Sequence, residues 1–582
     1  MNIEAAAQQA GPTGFVLSTL GPEPVDLEYL ADTVRRFAAE RANEPALTVL
    51  GDRRVRGEAR RTDTVVTLTY RELDERARAV AAELQTACPD GGRAAVLCPH
   101  DENYVVAFLG CLYAGVVAVP LYAPELFRSH TRLRSVLRDS TPGCILTTSR
   151  VRAAVRNALD GSGWHHGPVL HVDEIPLSRA DQWRRPSAAP EHVAYLQYTS
   201  GSTGSPAGVR VTQANLSAAA YQMRSRFMPA RTAISWVPLF HDMGLICAIA
   251  SPLSAGMHMV HLSPMSFLHR PYRWLRAVSD YRADWTVTPN FGLSHCVRRI
   301  SEEEVATLDL SCLRALAIGG EPVHARSVSG FLEAFAAAGL DPRVPVPCYG
   351  LAEATLSVSM TPNGVGVVGD HFDRAALTAG DVRPVPPGPD SVHLVSSGTL
   401  LPGVTVRITD PSTGEEVRGR VGEIRMRGPN RADGYWRAPE RTARVYGDGW
   451  LRTGDWGFWH DGALYVVGRM DDVIIVRGRN HYPEDIEATV ESVAPVSATA
   501  IGVEGDPTAR LIVLMEADTT MTALPGPDDA ALTERIRQTV SRQHGLAVHD
   551  ALVLRQGTLP RTTSGKIQRG LCRERYLAGS FT

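Results

Sequence analysis

The sequence predicts an α/β protein that passes into a β-rich segment and ends in a compact α+β unit. Three observations predict it. Strand and helix patterns alternate through the first part of the chain, short antiparallel strand patterns with turn signals follow, and a fresh α+β pattern starts near residue 471. Alternation of the first kind makes βαβ units and a largely parallel sheet, because a parallel strand needs a crossover to return to the same end. A chain of 582 residues is too long for one hydrophobic core. The expected division is an N-terminal part over 1–470, with an insertion at about 364–392 and a β-rich part at about 393–470, followed by 471–582.

The elements follow in order. "VVTLTY" reads as a strand, "RELDERARAVAAELQT" as a helix and "AAVLCP" as a strand. The next stretch, "YVVAFLGCLYAGVVAVPLYA" from Tyr104 to Ala123, carries no charge and is long enough to cross a bilayer. Gly115 and Pro120 interrupt it and its end is the β-branched "VVAV". A buried helix feeding a buried parallel strand is expected, with no integral membrane segment. "CILTTS" and "PVLHVDEI" add strands, and α/β pattern runs to about Met360. Residues 364–392 are rich in Gly, Pro and Asp and read as an irregular insertion or surface extension. "GVTVRITDPSTGEEVRGRVGEIRMRG" reads as short antiparallel strands, the start of a small β subdomain. In the last part "SATAIGVEG", "RLIVLMEA" and "ALVLRQG" read as strands and "DDAALTERIRQTVSRQHG" as a helix.

A composition of 44% hydrophobic and 21% charged residues with a net charge of −3 is that of a soluble globular protein. It gives no sign of a nucleic-acid or anionic-membrane partner. Nine cysteines occur singly, without a Cys-x-x-Cys pair, which argues against a disulfide framework or zinc site and for a reducing cytoplasm. The start, "MNIEAAAQQAGPTG", lacks the basic and apolar regions of a secretory signal. Of 60 basic residues, every one is arginine except Lys566 in "RTTSGKIQRG". An ammonium is a compact point charge on a flexible stem, whereas guanidinium is a broad fork. The lone lysine therefore suggests a side chain that must reach one developing charge.

The most telling motif is "YLQYTSGSTGSPAGVRVT". An apolar strand runs into Thr199, Ser200, Gly201, Ser202, Thr203 and Gly204, small residues that let backbone N–H groups converge on an anion while hydroxyls add donors. It lacks the Lys-Ser/Thr of a Walker loop. "AIGGEPV" carries Gly319, Gly320, Glu321 and Pro322 after a strand; "CYGLAEATL" carries Tyr349, Gly350, Leu351, Ala352 and Glu353. A carboxylate such as Glu353 beside a triphosphate can hold Mg²⁺ together with phosphate oxygens. "SWVPLFHDMGLI" carries His241, and "WLRTGDWGFW" carries Asp455, which alone would read as a turn aspartate.

These motifs, in this order over almost the whole chain, resemble the adenylate-forming superfamily of acyl-CoA synthetases, luciferases and nonribosomal peptide adenylation domains. The wording "PLFHDMG", Ala352 in place of the usual threonine, "RGRNHYP" and the insertion resemble its fatty acyl-AMP ligase branch. The resemblance implies a large domain of two doubly wound α/β subdomains with a small β-barrel-like subdomain, and a mobile C-terminal domain. It implies that residues 199–204 cradle the phosphates of ATP, that the backbone at Gly319–Pro322 passes the adenine, and that Tyr349–Ala352 belong to the nucleotide site. It makes Glu353 the Mg²⁺ ligand, Asp455 and Arg469 the ribose contacts, Asp471 the hinge, His241 a catalytic residue between acyl pocket and adenylate, and Lys566 the bridge between substrate carboxylate and α-phosphate. The usual phosphate-loop lysine is Ala207 here.

The implied activity is ATP- and Mg²⁺-dependent conversion of a fatty acid to acyl-AMP, followed by transfer to the phosphopantetheine thiol of an acyl carrier protein supplied in trans. The competing readings are a fatty acyl-CoA ligase and a nucleotide-binding protein that has lost catalysis, the second favoured by Ala207 and Ala352 and opposed by Lys566, Glu353 and Asp455. "WTVT" at 285–288 suggests a bulkier acyl-pocket wall. Chain length, carrier, pathway and oligomeric state are left open.

Overall fold

The computed structural model describes the chain except residues 1–6, 9–12, 18–24, 55–60, 89–91, 125–129, 165–166, 200–206, 228, 478, 495, 506–508, 518–526, 563–566 and 582. Strands β1 (Pro45–Arg54) and β2 (Arg61–Thr69) form an antiparallel pair, and helix α1 (Tyr70–Ala87) follows. Its start is fixed by a capping box in which the Thr69 hydroxyl accepts from the Glu72 N–H and Glu72 accepts from the Thr69 N–H, satisfying two otherwise orphan donors.

Six strands then make the first large sheet: β3 (Arg93–Val96), β4 (Val117–Pro120), β5 (Cys144–Thr147), β6 (Val169–His171), β7 (Val193–Thr199) and β8 (Ala207–Thr212), in the order β8-β7-β4-β3-β5-β6. All pairs are parallel except β7/β8. The uncharged stretch is resolved as expected. Helix α2 (Glu102–Ala114) is buried from Asn103 onward and stops at Gly115, whose φ of 71° is the left-handed cap that glycine adopts freely. The chain then enters β4, and among the described residues no helix is long and apolar enough to cross a membrane. Helix α3 (Thr131–Ser140) follows β4.

The second large sheet has nine strands. Strands β9 (Thr232–Ser235), β10 (His258–Leu262), β11 (Trp285–Thr288), β12 (Ala315–Ile318), β13 (Pro345–Gly350) and β14 (Ser357–Met360) join β1 and β2. With β17 (Thr399–Leu400) at one edge the order is β17-β14-β13-β12-β11-β9-β10-β1-β2. The strands from β13 to β1 are parallel. Helices pack on these sheets, among them α4 (Gln213–Phe227), α5 (Asn290–Arg299) and α6 (Ala325–Phe335), and one continuous apolar core links both. Trp285 spends its bulk inside this core, stacked on Phe227 of α4 at 4.9 Å. The end of β11 toward α5 is instead Thr288, which with the Trp236 ring meets Gly292 so closely that a Cβ there would lie 2.1 Å from Thr288 Oγ1.

The insertion is irregular over 379–390, as its composition suggests, but regular structure flanks that loop. Strand β15 (Gly369–Asp373) and β16 (Ser391–Val395) form an antiparallel pair, and Asp373 caps helix α7 (Arg374–Thr378) through the Ala376 N–H. Its Phe372 packs against Phe458 and Tyr465. Those rings belong to the β subdomain, the four-stranded antiparallel sheet β18 (Thr405–Thr409), β19 (Gly422–Arg427), β20 (Leu451–His460) and β21 (Ala463–Arg469).

The last part has the short pair β22 (Ile474–Val476) and β23 (Arg479–His481), helix α8 (Pro483–Val493) and a three-stranded sheet of β24 (Val496–Val503), β25 (Arg510–Ala517) and β26 (Val548–Leu554). The helix over Pro527–His544 covers a core of its own with Ile486, Val490, Ile536 and Val540. Helix α9 (Arg569–Leu577) is tied in by Arg569, whose guanidinium meets Asp472 at 3.2 Å, Glu484 at 3.1 Å and Glu487 at 2.7 Å.

Candidate functional site

Asp455 is the best-built polar position. It stands directly opposite Arg469 in the β20/β21 pair, and Asp455 Oδ1 meets Arg469 Nη1 at 3.2 Å. Its other oxygen accepts from Tyr349 Oη at 2.6 Å. Tyr349 belongs to β13 of the nine-stranded sheet, so this contact joins that sheet to the β subdomain. Burial and the Asp455 carboxylate push the Tyr349 phenol well above its ordinary range, and Asp455 holds the Arg469 guanidinium above its own. The "TGD" sequence is thus not a surface turn: Gly454 takes a left-handed φ of 69° within β20, which turns the strand locally and leaves Asp455 buried.

Glu353 follows at the end of β13, in a short turn with Ala352 and Ala354. The backbone approaches so closely here that a Cβ on Gly350 would lie 1.8 Å from the Leu356 carbonyl oxygen. Only glycine fits. Glu353 Oε1 accepts from Tyr435 Oη at 2.7 Å, and the Glu353 carboxylate helps raise the Arg469 pKa, placing it beside the Asp455 pair. One carboxylate oxygen is thereby oriented, and among the described residues no side chain donates to the other. Among the described residues the cluster of His and acid side chains that converges closely enough to hold an ion by itself is Asp370, His460 and Asp461. Glu353 is not part of it.

Gly319 and Gly320 end β12. A Cβ on Gly319 would lie 2.5 Å from Cys348 Sγ, and Gly320 has a φ of 82°, so this backbone is bare and tightly seated. Glu321 Oε1 accepts from the Phe291 N–H at 2.7 Å, anchoring the start of α5; Pro322 beside it is exposed. His241 caps the short helix Asp242–Leu245, and its Nδ1 lies 2.5 Å from Asp242 Oδ1. The preceding Phe240 carbonyl accepts from Gln197 of β7 at 3.0 Å, so His241 is held next to the strand that carries the phosphate motif. That strand ends at Thr199, opposite Ala207. Ser200, Gly201, Ser202, Thr203, Gly204 and Lys566 lie outside the described residues. Asp471 is exposed in the turn Met470–Asp472.

The structure thus brings Tyr349, Glu353, Asp455 and Arg469 together, with Leu351 and Ala352 in the same turn, and places Thr199 and His241 on linked segments. Sequence reasoning missed Tyr435, whose hydroxyl donates to Glu353 at 2.7 Å. It stands in no motif with a recognisable spacing.

The chain is similar to known proteins over most of its length. The family described as AMP-binding enzyme matches residues 34–436, and that described as Disco-interacting protein 2-like, AMP domain, matches 471–582. The long-chain-fatty-acid–AMP ligase FadD26 of Mycobacterium marinum is 38% identical over 593 residues, covering 96% of this chain and 99% of that protein. The medium-chain-fatty-acid–[acyl-carrier-protein] ligase JamA of Moorena producens is 37% identical, covering 89% and 91%. FadD21 of Mycobacterium tuberculosis, provisionally named a fatty-acid–CoA ligase, is 38% identical over 89% and 93%. A Legionella pneumophila fatty acyl-adenylate ligase, solved with acyl adenylate and pyrophosphate, superposes with a TM-score of 0.72 at 33% identity, covering 94% and 96%.

Proposed function

The chain belongs to the AMP-binding enzymes, in their fatty acyl-AMP ligase branch, and from that premise we propose that it activates a fatty acid as its acyl adenylate and passes the acyl group to a carrier-protein thiol. The observation that carries the reading is the joined pair Tyr349–Asp455–Arg469 and Tyr435–Glu353. This arrangement supports Asp455 as an acceptor for a ribose diol and Glu353 as a carboxylate for a phosphate-bound cation.

A carboxylate attacks a triphosphate poorly because both are anionic, so the site must neutralise that repulsion and the charge that grows on the α-phosphate. In the proposed scheme a substrate carboxylate oxygen bonds to the α-phosphorus and the bond to the bridging oxygen of the β-phosphate breaks, releasing pyrophosphate. Asp455 and Arg469 fix the ribose, the bare backbone at Gly319–Pro322 borders the adenine, and residues 199–204 hold the phosphates. Glu353, oriented by Tyr435, would hold Mg²⁺, which when bound neutralises phosphate charge. His241, kept in place by Asp242 and the Phe240 carbonyl, separates acyl chain from adenylate. Lys566 bridges carboxylate and α-phosphate. The second half needs a thiolate to attack the acyl carbon and expel AMP, with the part from 471 onward turning about Asp471. The Trp236–Thr288–Gly292 contact is the proposed limit of the acyl pocket. Nine free cysteines fit a cytoplasmic setting.

Transfer to CoA is the second reading, favoured by the likeness to FadD21. Mass spectrometry of products from a mixture of fatty acids with ATP and Mg²⁺, with CoA or with a phosphopantetheinylated carrier protein, decides between them. Acyl-AMP and acyl-carrier product are expected, with little acyl-CoA; efficient acyl-CoA formation overturns the acceptor assignment, and no acyl-AMP overturns the whole reading.

A further inference from the structure

We propose that Asp370, His460 and Asp461 bind a divalent transition ion of the zinc class, which joins the insertion to the β subdomain. The site is separate from the nucleotide residues, and the inference does not depend on the adenylation reading.

The fold brings the three donors together from two directions. Successive side chains of β15 point to opposite faces. Phe372 faces the β subdomain, where it meets the rings of Phe458, His460 and Tyr465. Asp370, two residues earlier, points the same way and accepts from Tyr465 Oη at 3.1 Å. His460 closes β20, and Asp461 and Gly462 make the two-residue turn into β21. Their φ values of 49° and 75° are those of the doubly left-handed turn that suits twisted hairpins.

The spacing is that of ligands around an ion. His460 Nε2 stands 3.5 Å from Asp370 Oδ2 and 3.6 Å from Asp461 Oδ2, beyond the roughly 2.7–3.2 Å of an N–H···O bond. One donor atom from each of the three residues lies within 4.8 Å of the others. On a tetrahedral ion with bonds of about 2.0–2.2 Å, neighbouring donors sit about 3.3–3.6 Å apart.

Charge points the same way. Among the described residues no arginine comes within ion-pair distance of either carboxylate, and His460 is the partner of both. Two carboxylates facing one imidazole leave negative charge that a dication answers. Burial, then Asp370 and Asp461, push the Tyr465 phenol well above its ordinary range. Its hydrogen bond to Asp370 is the kind of outer contact that orients a ligating carboxylate. The His460 ring is walled by Phe372 at 5.2 Å and Tyr465 at 5.9 Å, while Asp461 is exposed, so water reaches the site. One nitrogen with two oxygens favours the zinc class over Mg²⁺ or Ca²⁺, which take oxygen donors. A second imidazole pair needs a control: His371 and His393, opposite each other in β15/β16, stack at 4.6 Å.

In the experiment, metal-stripped full-length protein is titrated with Co²⁺, read by its visible absorption, and then with Zn²⁺, which displaces it. Wild type is compared with His460→Ala, Asp461→Asn, Tyr465→Phe and the double variant His371→Ala/His393→Ala. Wild type is expected to take up one ion per chain. His460→Ala and Asp461→Asn should each weaken binding about tenfold or more, Tyr465→Phe about tenfold, and the double variant less than about twofold. ATP–pyrophosphate exchange should be unchanged in Asp461→Asn. No uptake by wild type, uptake that survives His460→Ala, or uptake lost with His371 and His393 overturns the proposal. Mg²⁺ competing at equal concentration overturns the ion class. Should His460→Ala or Tyr465→Phe not fold, Asp461→Asn decides, because asparagine takes the left-handed turn conformation as aspartate does; unchanged affinity there refutes the site.

Discussion

Tyr349 Oη donates to Asp455 Oδ2 at 2.6 Å, joining the end of β13 in the nine-stranded sheet to the middle of β20 in the β subdomain. Both side chains are buried, so removing the donor strands a carboxylate oxygen. Tyr349→Phe is expected to cost about 1–3 kcal/mol of stability and to raise KM for ATP several-fold with kcat little changed. Asp455→Ala, which removes the acceptor itself, should abolish exchange. Thermal melts together with ATP–pyrophosphate exchange check both.

Tyr435 orients Glu353 at 2.7 Å without touching the proposed reacting atoms. Tyr435→Phe should therefore shift the Mg²⁺ requirement to higher concentration and leave saturated activity near wild type. Glu353→Gln should lower kcat by about 10²-fold at any Mg²⁺ level, as loss of a charge-stabilising group at a reacting centre does. A Mg²⁺ titration of the exchange rate separates the two.

Lys566 is the only lysine, so its replacement is a clean test of point charge against fork. Lys566→Ala is expected to reduce acyl-AMP formation by 10²-fold or more, and Lys566→Arg should not restore it, while the melting temperature stays unchanged. Acyl-AMP measured by single-turnover assay gives the answer.

His544 is buried in the C-terminal core, where burial holds its pKa down to about 4 against the pull of Asp485, with Arg374 and His481 reinforcing the shift. A histidine lowered in the folded state is neutral there and takes up a proton on unfolding. Its contribution is present above about pH 6.5 and is lost as pH falls from there towards 4, up to about 3 kcal/mol by linkage. Melts across this window should show the C-terminal part loosening first, and His544→Asn should flatten the slope.

Arg374 of α7 reaches from the insertion to Asp485 of α8, the latter also 3.6 Å from His544. If the insertion restrains the C-terminal part, Arg374→Ala should increase acyl transfer to CoA several-fold with acyl-AMP formation unchanged. An acyl-CoA assay with pre-formed acyl-AMP checks it.

Much of this was legible in residues alone, and particular elements say why. The uncharged stretch carried its own punctuation in Gly115 and Pro120, so α2 and β4 could be separated. Asp455 and Arg469 were paired by resemblance, and the β20/β21 register sets them face to face. What stayed hidden was order without hydrophobic alternation, as in β15 and α7, where Phe372 and Leu377 anchor a Pro- and Gly-rich segment. Hidden too was a contact between separate parts of the chain made by a side chain in no motif, Tyr435 on Glu353. Partner choice was the third gap: nothing in the pattern of β1 and β2 tells which later strand they join.

That last pairing has a consequence for how the polypeptide is made. Strand β1 docks beside β10, and the whole six-stranded sheet is threaded between them in the chain. The hairpin of β1 and β2 leaves the ribosome about 200 residues before its neighbour, roughly 10–40 s at ordinary elongation speeds. Until then β1 offers a bare hydrogen-bonding edge, the usual template for association with another nascent copy. Slow codons or a bound chaperone should matter most in that interval.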